Sequence, residues 1–147
     1  MKIHYKKSDI FIPEWNGNKK EKPEDQIKFH HRFLTVEERK KYVYWDDYTE
    51  GQMTVLSALA AAEKMSIDEQ VSALEKDDRK FVQDGKGIAK AIITKIEGLI
   101  LVDEETKKEE KIDTIAKFYS ALDAFPGLNF ELEKYCLGAS ARADSKN

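Results

Sequence analysis

The stretch IKFHHRFLTVEER, residues 27–39, changes its rule of spacing partway along, from that of a strand to that of a helix. From Ile27 to Phe33 the apolar residues fall on every second position, with Lys28, His30 and Arg32 between them, which is the pattern of a half-buried strand. After Leu34 the alternation stops. Thr35 precedes Glu38 by three residues, the spacing at which each side chain satisfies a backbone donor at the start of a helix. A strand that runs straight into a capped helix points to a small α+β domain.

At 147 residues the chain suits a single domain with a sizeable core. With 41% hydrophobic and 36% charged residues it can fill that core and still carry a strongly charged surface, which argues against wholesale disorder. Residues 1–45 hold 11 Lys/Arg against 7 Asp/Glu and residues 46–147 hold 14 against 21, so the parts carry +4 and −7. Such an excess falls far short of the basic stripe that phosphate neutralisation needs, which argues against a nucleic-acid partner and leaves head-to-tail self-association as an alternative. Cys136, the single cysteine, excludes an internal disulfide and sits among Leu132, Tyr135 and Leu137 as a buried thiol. No run reaches the ~18 apolar residues of a membrane span, and MKIHYKKSDIF has no signal-peptide h-region. The expected address is the cytoplasm.

Ile3 and Tyr5, then Ile10 and Ile12, predict an N-terminal strand pair that Pro13 ends. The stretch from Glu14 to Asp25, with an Asn-Gly turn signal, predicts a hairpin with a long, mobile tip, and Trp15 at its edge is either a lid over the core, the commoner role, or an exposed anchor. Tyr42, Tyr44, Trp45 and Tyr48 predict an aromatic mini-core rather than a sticky patch. From Met53 the chain reads as almost entirely helical: Met53, Leu56, Leu59 and Ala60 share a face, Ser66 and Glu69 form a second capping box, and Ile67, Val71 and Leu74 follow. Phe81, Gly85, Ile88, Ile92, Ile96 and Leu99 predict one helical stripe, while LILV at 99–102 finishes that helix or opens a strand. DEETKKEEK, residues 103–111, is a solvated loop or hairpin tip. Asp113 is the expected cap of a helix carrying Ile115, Phe118 and Leu122, and Pro126 marks the boundary of a last helix with Leu128, Leu132 and Tyr135. The expected organisation is thus a β-rich element over 1–34, a predominantly helical body of four to five helices over 35–141, and a frayed tail over 142–147.

No catalytic constellation emerges from this layout. His30 and His31 are neighbours on a strand and point to opposite faces, so with His4 they do not build a metal site. The DGKG of residues 84–87 lacks both a following Lys-Ser/Thr and an expected preceding strand, so it reads as a glycine-tolerant helix start, not a phosphate cradle. The best enzyme reading, a metal-dependent nuclease built on Glu97, Asp103, Glu105 and Lys107, places ligands in a wholly polar run that would not hold them rigidly. No catalytic residue, cofactor or metal is expected.

Residues 91–147, with Ile96-Glu97-Gly98-Leu99, an acidic turn, a second helix and the ELE of 131–133, resemble the small tail assembly chaperones of long-tailed bacteriophages and prophages. The strand feeding a Thr-x-x-Glu helix at 27–39 resembles their opening, and the acidic turn departs from them in having no glycine. The resemblance implies a non-catalytic protein in the cytoplasm of a bacterial host that keeps the tape-measure protein, or another tail protein, soluble during tail assembly. It makes the C-terminal helices the expected contact surface, with Leu128, Leu132, Tyr135 and Leu137 as candidates, although all four also suit a core, Leu132 best. The alternatives are a virion structural piece for head-tail joining or tail completion, and a host-directed regulator.

Overall fold

The computed structural model describes residues 1–45 and 81–145. The chain divides into two compact units, Met1–Tyr42 with Asp84–Asn147, and Val43–Gln83. Strands and helices both contribute, so the fold is α+β. The helices expected from Met53 onward, the Ser66–Glu69 capping box and Tyr48 of the aromatic cluster lie outside the described residues.

In the first unit, β1 (Ser8–Phe11), β2 (Lys28–Arg32) and β5 (Ile93–Glu97) form an antiparallel sheet in the order β1-β2-β5. The alternation in β2 does what its spacing implies: Phe29 and His31 are buried while Lys28, His30 and Arg32 are only partly so. At the end of β2 the capping box closes. Thr35 Oγ1 accepts from the Glu38 amide at 3.2 Å and Glu38 Oε1 accepts from the Thr35 amide at 3.0 Å. Arg32 donates to both Glu38 oxygens, at 2.7 and 2.6 Å, and so ties the last residue of the strand to the first turn of α1 (Val36–Tyr42).

Ile3 and Tyr5 do not join the sheet. Pairing ends at Ser8 opposite Arg32, where β2 itself stops, so the residues before Ser8 have no ladder to extend and Ile3 and Tyr5 stand exposed. The expected long, mobile tip is instead a folded connection. Asn16 and Gly17 take positive φ (49° and 73°) within a 3-10 segment, Trp15–Lys20, and Asn18 turns inward. Its amide nitrogen donates to the carbonyls of Pro13 (2.9 Å) and Ile27 (3.1 Å), and its Oδ1 accepts from the Ile27 amide (2.6 Å). One buried side chain thereby pins both ends of the loop. Trp15 is half-buried and lies against the exposed Gly127 rather than over the core.

The predicted stripe from Phe81 to Leu99 is the largest departure. It is a strand, a helix and a strand: β4 (Phe81–Gln83), α2 (Gly85–Ile92) and β5. Asp84 caps α2 by accepting from the Gly87 amide at 2.9 Å. Ile88, Ala89 and Ile92 are buried as a helical spacing requires, but at Ile93 the backbone becomes extended (φ −71°, ψ 118°). Ile92, Ile93 and Thr94 are consecutive β-branched residues, which lose rotamer freedom in a helix, and β2 offers them an edge to pair with. A register irregularity at His30/His31 keeps both Ile93 and Ile96 buried.

Gly98 turns the chain at φ +75°, where a Cβ would collide with the Gln26 carbonyl. Beyond it β6 (Ile100–Val102) and β7 (Glu109–Lys111) form a two-stranded ribbon, which settles the choice left open for LILV and makes the acidic stretch a hairpin tip. α3 (Ile115–Ser120) is capped by Thr114, which accepts from the Lys117 amide at 3.2 Å, and not by Asp113, which pairs with Lys117 Nζ at 3.0 Å. Leu122 lies past α3 in a short 3-10 turn. Pro126 opens α4 (Pro126–Ser145), so most of the expected frayed tail is helix. Among the described residues, strands β3 (Val43–Trp45), β4, β5, β6 and β7 thus interrupt the expected helical body.

Phe29, Phe118 and Phe125 form the aromatic centre of the core, with Phe29 edge-on to Phe118 at 5.6 Å and Phe118 stacked on Phe125 at 4.8 Å. Ile88, Ile92, Ile96, Leu128, Leu132 and Cys136 are buried with them. In the second unit the described residues hold β3 (Val43–Trp45) paired antiparallel with β4. Among the described residues no helix is long and apolar enough to cross a membrane.

Candidate functional site

α4 carries all four of the residues that the sequence singles out. Leu128 and Leu132 are fully buried and offer nothing to a partner, because their spacing of four places them on the core stripe with Cys136. Leu137 is half-buried. Tyr135 is half-buried too, and its ring stacks on Phe11 at the end of β1 with centroids 4.0 Å apart and planes 8° from parallel. Its hydroxyl meets His31 Nε2 at 2.8 Å, while His31 Nδ1 lies 2.9 Å from the Arg32 carbonyl. A carbonyl can only accept, so in the neutral ring Nδ1 donates to it and Nε2 accepts from Tyr135. Strand and helix are locked edge to edge at this point.

Beside that lock lies an open groove of about 290 Å³ between the end of β1 and α4, with Phe11, Ile12, Tyr135 and Gly138 on its walls and Lys19 and Lys134 at its rim. Glu131, also on the wall, accepts from the amides of Glu14 (2.7 Å) and Trp15 (3.2 Å) and so fixes the helix against the 3-10 segment. A Cβ added to Gly138 would meet nothing within 4 Å, so the groove is open there. One turn before Lys134 stands Phe130, 71% exposed. Sequence reasoning passed over Phe130. It is two residues from both Leu128 and Leu132, roughly 200° around the helix from each, and that offset is the signal that sets it outside the core.

The acidic and nucleophilic candidates serve structure. Glu97 meets Lys95 Nζ at 2.7 Å and His30 Nε2 at 3.3 Å, and Lys95 first, then His30, holds its carboxyl below the usual range. Asp103 accepts from the amides of Glu105 and Thr106, and these bonds hold its carboxyl low. Among the described residues Glu105 has no ion-pair partner, and Lys107 pairs with Glu104 at 3.0 Å. Among the described residues no three His, Cys, Asp or Glu side chains come together as metal ligands. Burial, with the Glu133 charge second, pushes the Cys136 thiol up to about 12, so it is protonated at neutral pH and a poor nucleophile. Burial likewise raises the Tyr119 hydroxyl, which donates to Glu133 Oε1 at 3.1 Å. Residues 84–87 do follow a strand, contrary to the sequence expectation, but Asp84 is committed to capping α2.

The chain matches no family model, no curated protein and no solved structure.

Proposed function

We propose that this chain is a non-catalytic binding protein, a tail assembly chaperone of a long-tailed phage or prophage that acts in the bacterial cytoplasm and holds the tape-measure protein soluble while the tail tube forms. A predominantly helical body of four to five helices belongs to this reading, and so does the absence of a cofactor. The observation that carries it is the open groove beside the Phe11–Tyr135 stack, with the exposed Phe130 on the same helix. An amphipathic helix binds by setting a few apolar anchors into such a groove, with polar side chains such as Lys134 left at the rim. Contact therefore moves from Leu128 and Leu132, which the core occupies, to Phe130, Tyr135 and the surface at Gly138.

Coexpression with the tape-measure protein tests the reading. Wild-type chain is expected to keep that protein in the soluble fraction, and Phe130→Glu combined with Gly138→Arg to let it precipitate while the variant itself stays folded. A tape-measure protein that remains insoluble with wild type, or equally soluble with the variant, would overturn the proposal.

A further inference from the structure

The β6–β7 ribbon is poorly covered. Among the described residues its strands pair only with each other, every residue of β7 is exposed, and Ile100 and Val102 are 47% and 49% exposed. Two residues apart on one strand, they share a face, with Lys111 and Glu109 opposite them. A two-stranded ribbon of this kind is marginal in water without something packed on its apolar face. Its tip is nonetheless well defined: the Asp103 and Lys107 amides donate to the carbonyls of Lys108 (2.9 Å) and Asp103 (2.7 Å), and Lys107 takes φ +59°. Glu105, Glu109 and Glu110 have no ion-pair partner among the described residues.

The opposite chemistry lies elsewhere in the same unit. Lys86 and Lys90, one turn apart on α2, place their ammonium groups 5.2 and 5.5 Å from the centroid of the Tyr119 ring. Neither has a carboxylate partner among the described residues. They border a groove of about 520 Å³ whose remaining lining includes Ile115, Ala116 and Tyr119. Two like charges one turn apart repel, and a carboxylate brought between them would relieve that.

We propose that the ribbon of one copy docks in the Lys86–Lys90 groove of a second copy. Val102 and Ile100 pack on Ile115 and Tyr119, and Glu105 and Glu109 reach the two lysines. Among the described residues no carboxylate pairs with the lysines and nothing pairs with the ribbon's edges, and the opposite charges of the two surfaces suit them to each other across two copies. Because donor and acceptor surfaces differ, the contact is head-to-tail and builds a ring or an open chain. It uses a surface distinct from the β1–α4 groove and does not depend on the tape-measure reading.

Sedimentation of the full chain across a concentration series tests it, with circular dichroism to check folding. Wild type is expected to self-associate, and more weakly as salt rises. Lys86→Glu with Lys90→Glu, and separately Glu105→Lys with Glu109→Lys, should each remain monomeric, while an equimolar mixture of the two regains association because each groove then faces opposite charge. Ile100→Thr with Val102→Thr keeps strand propensity and should weaken association by roughly tenfold or more; this pair decides the matter if a charge variant fails to fold. A monomeric wild type, association undiminished in these variants, or a mixture of folded charge variants that stays monomeric overturns the proposal.

Discussion

Replacing Asn18 should open the connection between β1 and β2. Its side chain makes three hydrogen bonds to the main chain, two as donor to Pro13 and Ile27 and one as acceptor from Ile27, in a residue that is 5% exposed. At about 1 kcal/mol net for each bond, Asn18→Ala should destabilise the protein by about 3 kcal/mol, which for a chain of this length lowers Tm by roughly 10 °C. Asn18→Asp has almost the same shape but turns the donating nitrogen into a second acceptor that faces two carbonyl oxygens. The charged form is disfavoured there, so the folded-state pKa of this aspartate lies above its unfolded value. Its deficit against wild type should therefore be smallest below the unfolded pKa and grow as pH rises through the folded one. Urea unfolding followed by circular dichroism, run between about pH 3 and pH 7 to span the ordinary aspartate pKa, measures both variants. A loss below about 1 kcal/mol for Asn18→Ala, or an Asn18→Asp deficit that does not change with pH, would refute the pinning argument.

Cys136 should resist thiol reagents in the native protein and react once urea unfolds it, since burial pushes its thiol up to about 12; rapid stoichiometric labelling of the native form at neutral pH would contradict that. The Glu38 carboxyl is held at about 2 against an ordinary 4.5, chiefly by Arg32 and then by the Thr35 amide. Because the folded value is the lower one, this interaction stabilises fully above 4.5 and is lost as pH falls toward 2. Wild type should accordingly lose its advantage over Glu38→Gln across that window, an advantage of only about 1 kcal/mol because both side chains of the pair are partly solvated. Two glycine substitutions should have opposite signs: Gly98→Ala costs about 2 kcal/mol or more at its positive φ against the Gln26 carbonyl, whereas Gly138→Ala, with open space at its Cβ, stabilises α4 by about 0.5–1 kcal/mol. Thermal unfolding of the pair checks both signs.

Several features that depend on neighbours in the chain are legible in the residues alone. The Thr35–Glu38 box, the β2 alternation and the turn at Asn16–Gly17 each involve groups within a few residues of one another. The cap at Asp113–Thr114 is less legible. Asp and Thr are both good caps, and adjacent candidates are separated only by which side chain reaches the amide of the residue three further on, here Thr114 to Lys117. The candidate site was less legible. Leu128, Leu132 and Tyr135 were seen as one apolar set, yet the first two face the core and the third is shared between it and the groove.

By itself the sequence determined an α+β chain, the join of a strand to a capped helix, and a buried thiol at Cys136. Tertiary structure decided the fate of Ile93–Glu97. Ile88, Ile92 and Ile96 fit one helical stripe as well as they fit a helix followed by a strand, and helix propensities that differ by tenths of a kcal/mol per residue cannot choose between them. The open edge of β2 chose, because its backbone donors and acceptors are satisfied only if another strand lies beside it. The same kind of distant partner, Ile27 for Asn18 and Phe11 for Tyr135, determined which polar and aromatic side chains turned inward.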